Sequence, residues 1–525
     1  MIDTFQDLLQ FPTAPELAKR AKWTQFVVLL GLAGLTGVVL IYLLLFGATP
    51  ASIAWVIFFI GIVLIVYEPR YGIYLILFFS LAGDSLLLYW YPFTKNLSSS
   101  ESLMYLSNAL IVSPAEIYMV VTFIAWFGRD IVRHKINFYR GQLFWPSIVF
   151  ILFITLGLIW GVGRGGNLNI ALWEVRAIFY LPLMLVLTNN LITQRKHASH
   201  LIWVIVLALF VESLVGAYIY LFVLQGDLSS VESLTEHSAA IHINLVIVLW
   251  LATWLFKGGS SNKRIFISLL LPTILLTYMA AQRRAAFLSL FIVLAFMVLI
   301  LYQERRKVFW MLIPFATVIG LVYVAAFWNS GSTLALPVQA IKSVVAQDQA
   351  NAKDQSSNLY RQLENINTHY TMSQAPLTGV GFGQKMLFIV PMPDISFFVL
   401  WEYITHNSIL WIWAKAGVGT FISMLILIGM AILVGMRTLQ RTQSGELKAI
   451  ILSATFYIIM HFVYAYVDIS WDNQSMLLVG TMMGLISCME HVIELDIAIK
   501  PKRYPWQKDP SPLPGLLPLK FEGKK

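Results

Sequence analysis

Four groups of residues in this 525-residue chain have the chemistry to handle an anion and a proton. Arg283 and Arg284 stand side by side in the polar turn Ala281-Gln282-Arg283-Arg284, between two apolar runs. Guanidinium forks suit phosphate oxygens, because each presents several N–H donors in one plane. Anchoring of the turn among lipid headgroups is the plainer use of the same pair. Arg361 lies in Asn358-Leu359-Tyr360-Arg361-Gln362-Leu363-Glu364. There the simplest reading is a solvated helix face with an i,i+3 pair to Glu364. Pro376-Leu377-Thr378-Gly379-Val380-Gly381-Phe382-Gly383 carries three alternating glycines. They allow unusual backbone angles and could aim amides at an anion, although a flexible turn asks for nothing more. With no strand or βαβ unit around them, they are not a nucleotide fingerprint. His406 opens the next long apolar run, in Thr405-His406-Asn407-Ser408. A helix N-terminus is a poor place for an imidazolium, which favours the ring as a base or acceptor.

Other charges fall inside apolar runs, where they are costly and mark function or a specific partner. Glu174 and Arg176 are two apart, so they do not face each other on a helix and each needs its own partner. Arg176 is a candidate pyrophosphate contact. Lys415 lies nine residues past His406, about 13 Å deeper along a helix. It is expected to pair with Glu212 or Asp84, or to line a cavity. His237 and His242 bracket the start of one run without a carboxylate set, so no metal site is expected.

The elements that must hold these residues are membrane helices. The chain is 58% hydrophobic and 12% charged, with a mean hydropathy of +0.74. Soluble proteins carry about 25% charged residues, so a soluble enzyme is excluded. The 17 Trp suit a chain with two membrane interfaces to line. Apolar runs long enough for spanning helices occur at 24–47, 51–68, 71–90, 113–128, 145–161, 171–192, 201–224, 239–256, 265–280, 285–302, 308–328, 407–436, 449–468 and 474–492. Alternation over about ten residues is absent, which argues against a barrel. The expected fold is therefore an all-α polytopic membrane protein with 12 to 14 transmembrane helices. One cysteine, Cys488, allows neither an internal disulfide nor a cysteine-based metal cluster.

Lys and Arg set the orientation. Most of the 36 basic residues fall on one side if the N-terminus is inside, with Lys19, Arg20 and Lys22. The same side takes Arg129 to Arg140, Arg195, Lys196, Lys257 to Arg264, Arg305 to Lys307, Arg437 to Lys448 and the tail lysines. Both termini are thus expected in the cytoplasm. The net charge of +9 follows from topology and anionic lipid, with no need for nucleic acid. The expected organisation is N-terminal membrane helices over 1–328, an outer loop over 329–406, further helices over 407–492 and a Pro/Lys-rich tail over 493–525. A loop of that length is usually functional. Leu359, Leu363, Ile366 and Tyr370 predict an amphipathic helix in it, stopped by Ala375-Pro376.

Taken in order, these motifs resemble the O-antigen ligase and polymerase superfamily of bacterial polysaccharide assembly. The resemblance covers about 170–435. It rests on Gln282-Arg283-Arg284-Ala285 at the outer start of a span and on Arg361 within a large late loop. It rests also on Pro376-Leu377-Thr378-Gly379-Val380-Gly381 and on His406-Asn407-Ser408-Ile409-Leu410 with Gly417 and Gly419 downstream. It implies a GT-C-like, metal-independent lipid-linked oligosaccharide glycosyltransferase of the inner membrane, without cofactor. The donor would be a glycan on undecaprenyl pyrophosphate. The acceptor would be a hydroxyl of the lipopolysaccharide lipid A core, of another lipid-linked glycan or of a protein. His406, Arg284 and Arg361 would be catalytic. Arg283, Arg176, Gly379, Gly381, Gly383 and Asn407 would bind substrate. Three departures are visible: Arg283 is an extra charge beside Arg284, Lys415 stands where many members carry an acid, and about fourteen spans exceed the twelve usual for ligases. The alternative class is a transporter or anion channel, which calls for paired repeats and broken helices near the midplane. A scaffold in a polysaccharide export complex is the third reading.

Overall fold

The computed structural model describes residues 50–499 except 84–86, 89, 101, 133–136, 229–230, 232, 350–351, 394 and 396–397, together with scattered residues between 26 and 49. The described chain is helical, without strands. Its first ten helices are α1 (Pro50–Tyr67), α2 (Arg70–Ala82), α3 (Pro114–Val132), α4 (Phe144–Gly163), α5 (Leu168–Leu191), α6 (Arg195–Tyr218), α7 (Ala239–Leu255), α8 (Ser261–Ala280), α9 (Arg284–Glu304) and α10 (Arg306–Phe327). The loop then holds α11 (Leu336–Val345) and α12 (Ala352–Gln374). Three long helices follow: α13 (Ser408–Arg441), α14 (Gly445–Val467) and α15 (Asn473–Ile499). Among the described residues, ten helices are long and apolar enough to cross a membrane, and α2 and α7 are shorter apolar helices. The protein is an all-α polytopic membrane protein.

Two expected elements differ. The run 71–90 is helical only to Ala82. At Gly83 the chain packs onto the Tyr91 carbonyl so closely that a Cβ would lie 2.2 Å from that oxygen. Asp84 lies outside the described residues, as do 11 of the 24 positions in the run 24–47. At the other end α15 continues past 492 to Ile499, and the rest of the expected tail lies outside the described residues.

The packing is centred on α15, whose spanning portion is 89% buried, and on α14, at 72%. Helices in lipid approach closely through small residues. Accordingly α15 meets α5 at Gly480 and Gly484, where a Cβ would stand 2.3 Å from the Leu181 carbonyl oxygen and 2.7 Å from Thr188 Cβ. α10 is the opposite case, with none of its spanning portion buried; it touches α9 at the periphery. At one end of the bundle Glu446, at the start of α14, pairs with Arg195 and Lys263, each at 2.8 Å.

α13 is broken. Gly417 has φ 78° and ψ 176°, so the helix runs in two pieces on either side of it. The break frees carbonyls that a continuous helix would bond internally. The glycine-rich loop fills it. Val380 N–H donates to the Ala414 carbonyl and Gly381 N–H to the Lys415 carbonyl, each at 2.9 Å. In return Val418 N–H donates to the Pro376 carbonyl at 3.0 Å. The loop is thus a plug in a membrane helix, and it fixes where the chain leaves α12 and enters α13.

Candidate functional site

Arg283 and Arg284 open α9 after a sharp turn. Gln282 adopts φ 57°, unusual for a residue with a Cβ, and turns the chain from α8 so that both arginines reach one cavity. Arg284 is the first residue of α9, where unpaired N–H groups add partial positive charge. Its Nε lies 3.3 Å from Asp354 Oδ1, on α12. Arg283 Nε donates to Ser233 Oγ at 3.3 Å.

α12 supplies the facing wall with a polar stripe. Asp354, Ser357, Asn358 and Arg361 recur at i, i+3, i+4 and i+7, on one helix face, and all line the cavity. The expected apolar stripe exists, but Leu359 and Ile366 point outward, 56% and 47% exposed. Apart from Met372, the buried continuation of α12 is polar: Glu364, Asn367, Thr368 and Thr371. Those side chains tie down the following loop. Asn367 Oδ1 accepts from Ile389 and Val390 N–H, and its Nδ2 donates to the Val390 carbonyl. Hydrogen bonding, more than apolar burial, seats this helix.

The resulting cavity has a volume of about 380 Å³ and is lined by Arg283, Arg284, Arg361 and His406 together. Gln282, Gln339 and Gln362 add neutral polar groups. Leu288, Leu336 and Ala340 make an apolar side. His406 Nδ1 lies 3.0 Å from Glu364 Oε2, and the same carboxylate accepts the His406 backbone N–H at 2.9 Å. Tyr360 stands edge-on to the imidazole. A carboxylate only accepts, so the proton of the neutral ring sits on Nδ1 and Nε2 keeps its lone pair.

Asp468, absent from the sequence-based site, caps α14 at the cavity wall. Its side chain is 3% exposed and lies 3.8 Å from Arg361 Nη2 and 3.9 Å from His237 Nδ1. Burial pushes the Asp468 carboxyl up, but Arg361, His237, Arg283 and His406 outweigh it and hold the group below its usual value. Glu364 and Asp354 were missed as well. Glu364 was read as a partner of Arg361, whereas it serves His406. The available signal for Asp468 was a charge at the very end of an apolar run, beside Asp472.

The other candidates fall elsewhere. Arg176 is held by Glu116, Asn96 and Tyr180 and does not line the cavity. Gly379, Gly381 and Gly383 have positive φ, as expected of them, but their amides face carbonyls or a carboxylate. Gly379 N–H donates to the Ala375 carbonyl, Gly381 N–H to Lys415, and Gly383 N–H to Glu174 Oε2 at 2.5 Å. None of the three lines the cavity. Asn407 caps α13, its side chain accepting from Leu410 N–H at 3.1 Å. Lys415 is fully buried and pairs with Glu174 at 2.7 Å, in place of the Glu212 or Asp84 expected. Its ammonium also reaches the Gln384 carbonyl. This pair binds α5, α13 and the glycine loop together. Among the described residues, no cluster of three or more His, Cys, Asp or Glu could hold a metal ion.

Residues 267–425 match the family model described as O-Antigen ligase, which supports the O-antigen ligase superfamily and a membrane function of that type. The matched span contains both turn arginines, Arg361, the glycine loop and His406. No curated protein matches the chain.

Proposed function

On the premise of an O-antigen ligase domain at residues 267–425, we propose that the protein transfers a glycan from undecaprenyl pyrophosphate to a sugar hydroxyl. The reaction occurs at the outer face of the bacterial inner membrane and uses no metal. The observation that carries this reading is the single cavity lined by Arg283, Arg284, Arg361 and His406. The acceptor oxygen attacks the anomeric carbon as the bond from that carbon to the pyrophosphate oxygen breaks. The electron pair leaves with the pyrophosphate, and the hydroxyl proton passes to His406 Nε2. Arg284 and Arg361, with Arg283, neutralise the departing charge without having to rearrange. Asp354 pairs with Arg284 and gives way to phosphate oxygens. Glu364 holds the His406 ring, and Asp468 holds Arg361. The neutral amides of the wall meet sugar hydroxyls. The apolar side admits the first isoprene units.

The test is transfer by the purified protein from a synthetic undecaprenyl-pyrophosphate glycan. Arg284→Ala, Arg361→Ala and His406→Ala should each lower the rate by about 100-fold or more, and a chelator should leave the wild type unchanged. Arg→Lys should also be poor, because the fork is lost. Full activity in all three alanine variants would overturn the assignment. Offering a lipid A core sugar, a second lipid-linked glycan and a peptide in turn identifies the acceptor.

A further inference from the structure

A second cavity, of about 560 Å³, lies at the far end of the bundle. α15 connects the two regions. It starts beside Asp472, close to the catalytic cavity, and passes His491, on the wall of the second cavity. The eighteen helical steps from Asn473 to His491 span about 27 Å. α14 gives the same answer, since its last residue touches the catalytic cavity while Glu446, at its start, binds Arg195, two residues before His197.

The wall of this second cavity has the character of an oxyanion site. Two helix N-termini converge there, α2 at Pro69–Arg70 and α6 at Gln194–His197. Neither has a side-chain cap, so both leave N–H groups and partial positive charge at the cavity. Arg70, Arg129 and Lys196 line it against Glu68 and Asp130. Glu68 fixes the two guanidiniums, at 3.1 Å from Arg70 Nε and 3.0 Å from Arg129 Nη1.

Two buried side chains point to a ligand independently of the helix ends. His197 is 5% exposed, and its Nε2 meets Arg70 Nη1. Arginine can only donate, so Nε2 accepts and the ring proton sits on Nδ1. That Nδ1 is buried without an acceptor. Asn189 is 3% exposed, and its Nδ2 is committed to the Arg140 carbonyl at 3.0 Å. Its Oδ1 is left without a donor. Buried polar groups rarely stay unpaired. A single ligand with an anionic oxygen for His197 and a hydroxyl for Asn189 would satisfy both.

We propose that the second cavity binds the phosphodiester headgroup of an anionic, hydroxyl-bearing phospholipid, in the leaflet opposite the catalytic cavity. The diester oxygens meet His197 Nδ1, Arg129 and Lys196, and a glycerol-type hydroxyl donates to Asn189 Oδ1. The anionic oxygens of a diester suit the guanidinium and ammonium donors among the described residues of this wall. The position, at the ends of membrane helices, is the depth at which headgroups lie. This inference is independent of the glycosyl-transfer reading.

The test titrates the full chain in neutral detergent with short-chain phosphatidylglycerol, short-chain phosphatidylcholine and inorganic phosphate, and follows the thermal midpoint. Phosphatidylglycerol should raise it saturably, and the other two should not at equal concentration. Lys196→Glu should raise the half-saturating concentration at least tenfold. Lys196 is exposed, and Lys196→Gln, expected to give a smaller shift in the same direction, serves if the reversal fails to fold. Arg284→Gln should leave the phosphatidylglycerol response unchanged. An equal response to phosphatidylcholine, an unchanged half-saturation in both Lys196 variants, or a response lost only in Arg284→Gln would overturn the site. Saturation by inorganic phosphate at the same concentration would overturn the headgroup and leave a free oxyanion.

Discussion

His406 and Glu364 show what a single side chain decides at this site. The imidazole is useful only if the lone pair on Nε2 faces the cavity, and Glu364 favours that by accepting hydrogen bonds from Nδ1–H and from the backbone N–H of the same residue. Glu364→Gln keeps the size and one acceptor but lets the amide flip and donate to Nδ1, which favours the wrong tautomer. Transfer should fall about 10–100-fold in kcat, a fraction of a general base's whole contribution, with little change in donor KM. The acid limb of the pH–rate profile should also move, which a loss of packing would not do. Glu364→Asp should recover part of the rate. An unchanged pH profile in Glu364→Gln would show that the carboxylate does not position the base. His406, Arg284 and Arg361 were legible in the sequence because each sits in a short recognisable string. Their partners Glu364, Asp354 and Asp468 were not. Pairing between Arg361 and Asp468 depends on how α12 packs against the end of α14, which no local pattern encodes.

Among the elements, the glycine loop was legible as a place of special backbone angles but not in its use. Its amides face the broken helix α13, and the Lys415–Glu174 pair locks the joint. A transporter would put a broken helix to work on substrate; here the break is filled by protein. Lys415 was visible as an intramembrane charge, and its partner is the very Glu174 that needed one. Their pairing across α5 and α13 could not be read from spacing. Removing one member strands the other in a buried site, which costs about 3–5 kcal/mol. Lys415→Met should therefore lower the thermal midpoint in detergent sharply. Lys415→Met with Glu174→Gln should be closer to wild type than either single variant, because no charge is left unpaired. If the double variant is as unstable as the sum of the singles, the pair does not act as a unit.

At the scale of the whole molecule, hydropathy and basic residues predicted both the helices and their direction, and the structure adds a test of the direction. The long α14 separates the two ends of the bundle: its 23 residues extend about 35 Å. One end carries Arg195, Lys263, Arg441 and Lys448 in pairs with Glu446, Glu490 and Glu304. The other carries the cavity and α12. The positive-inside tendency predicts that the first end faces the cytoplasm and the cavity the outside, the side on which the proposed lipid-linked glycan would meet its acceptor. Cys488 is 1% exposed, so the natural protein has a silent thiol background for labelling. Ser373→Cys, exposed at the end of α12, should react in intact cells with a membrane-impermeant maleimide. Asn262→Cys, exposed in the first turn of α8, should react only after the membrane is opened. The reverse pattern would put Arg284, Arg361 and His406 on the cytoplasmic side, and an outer-face transfer reaction would then be untenable whatever the cavity binds.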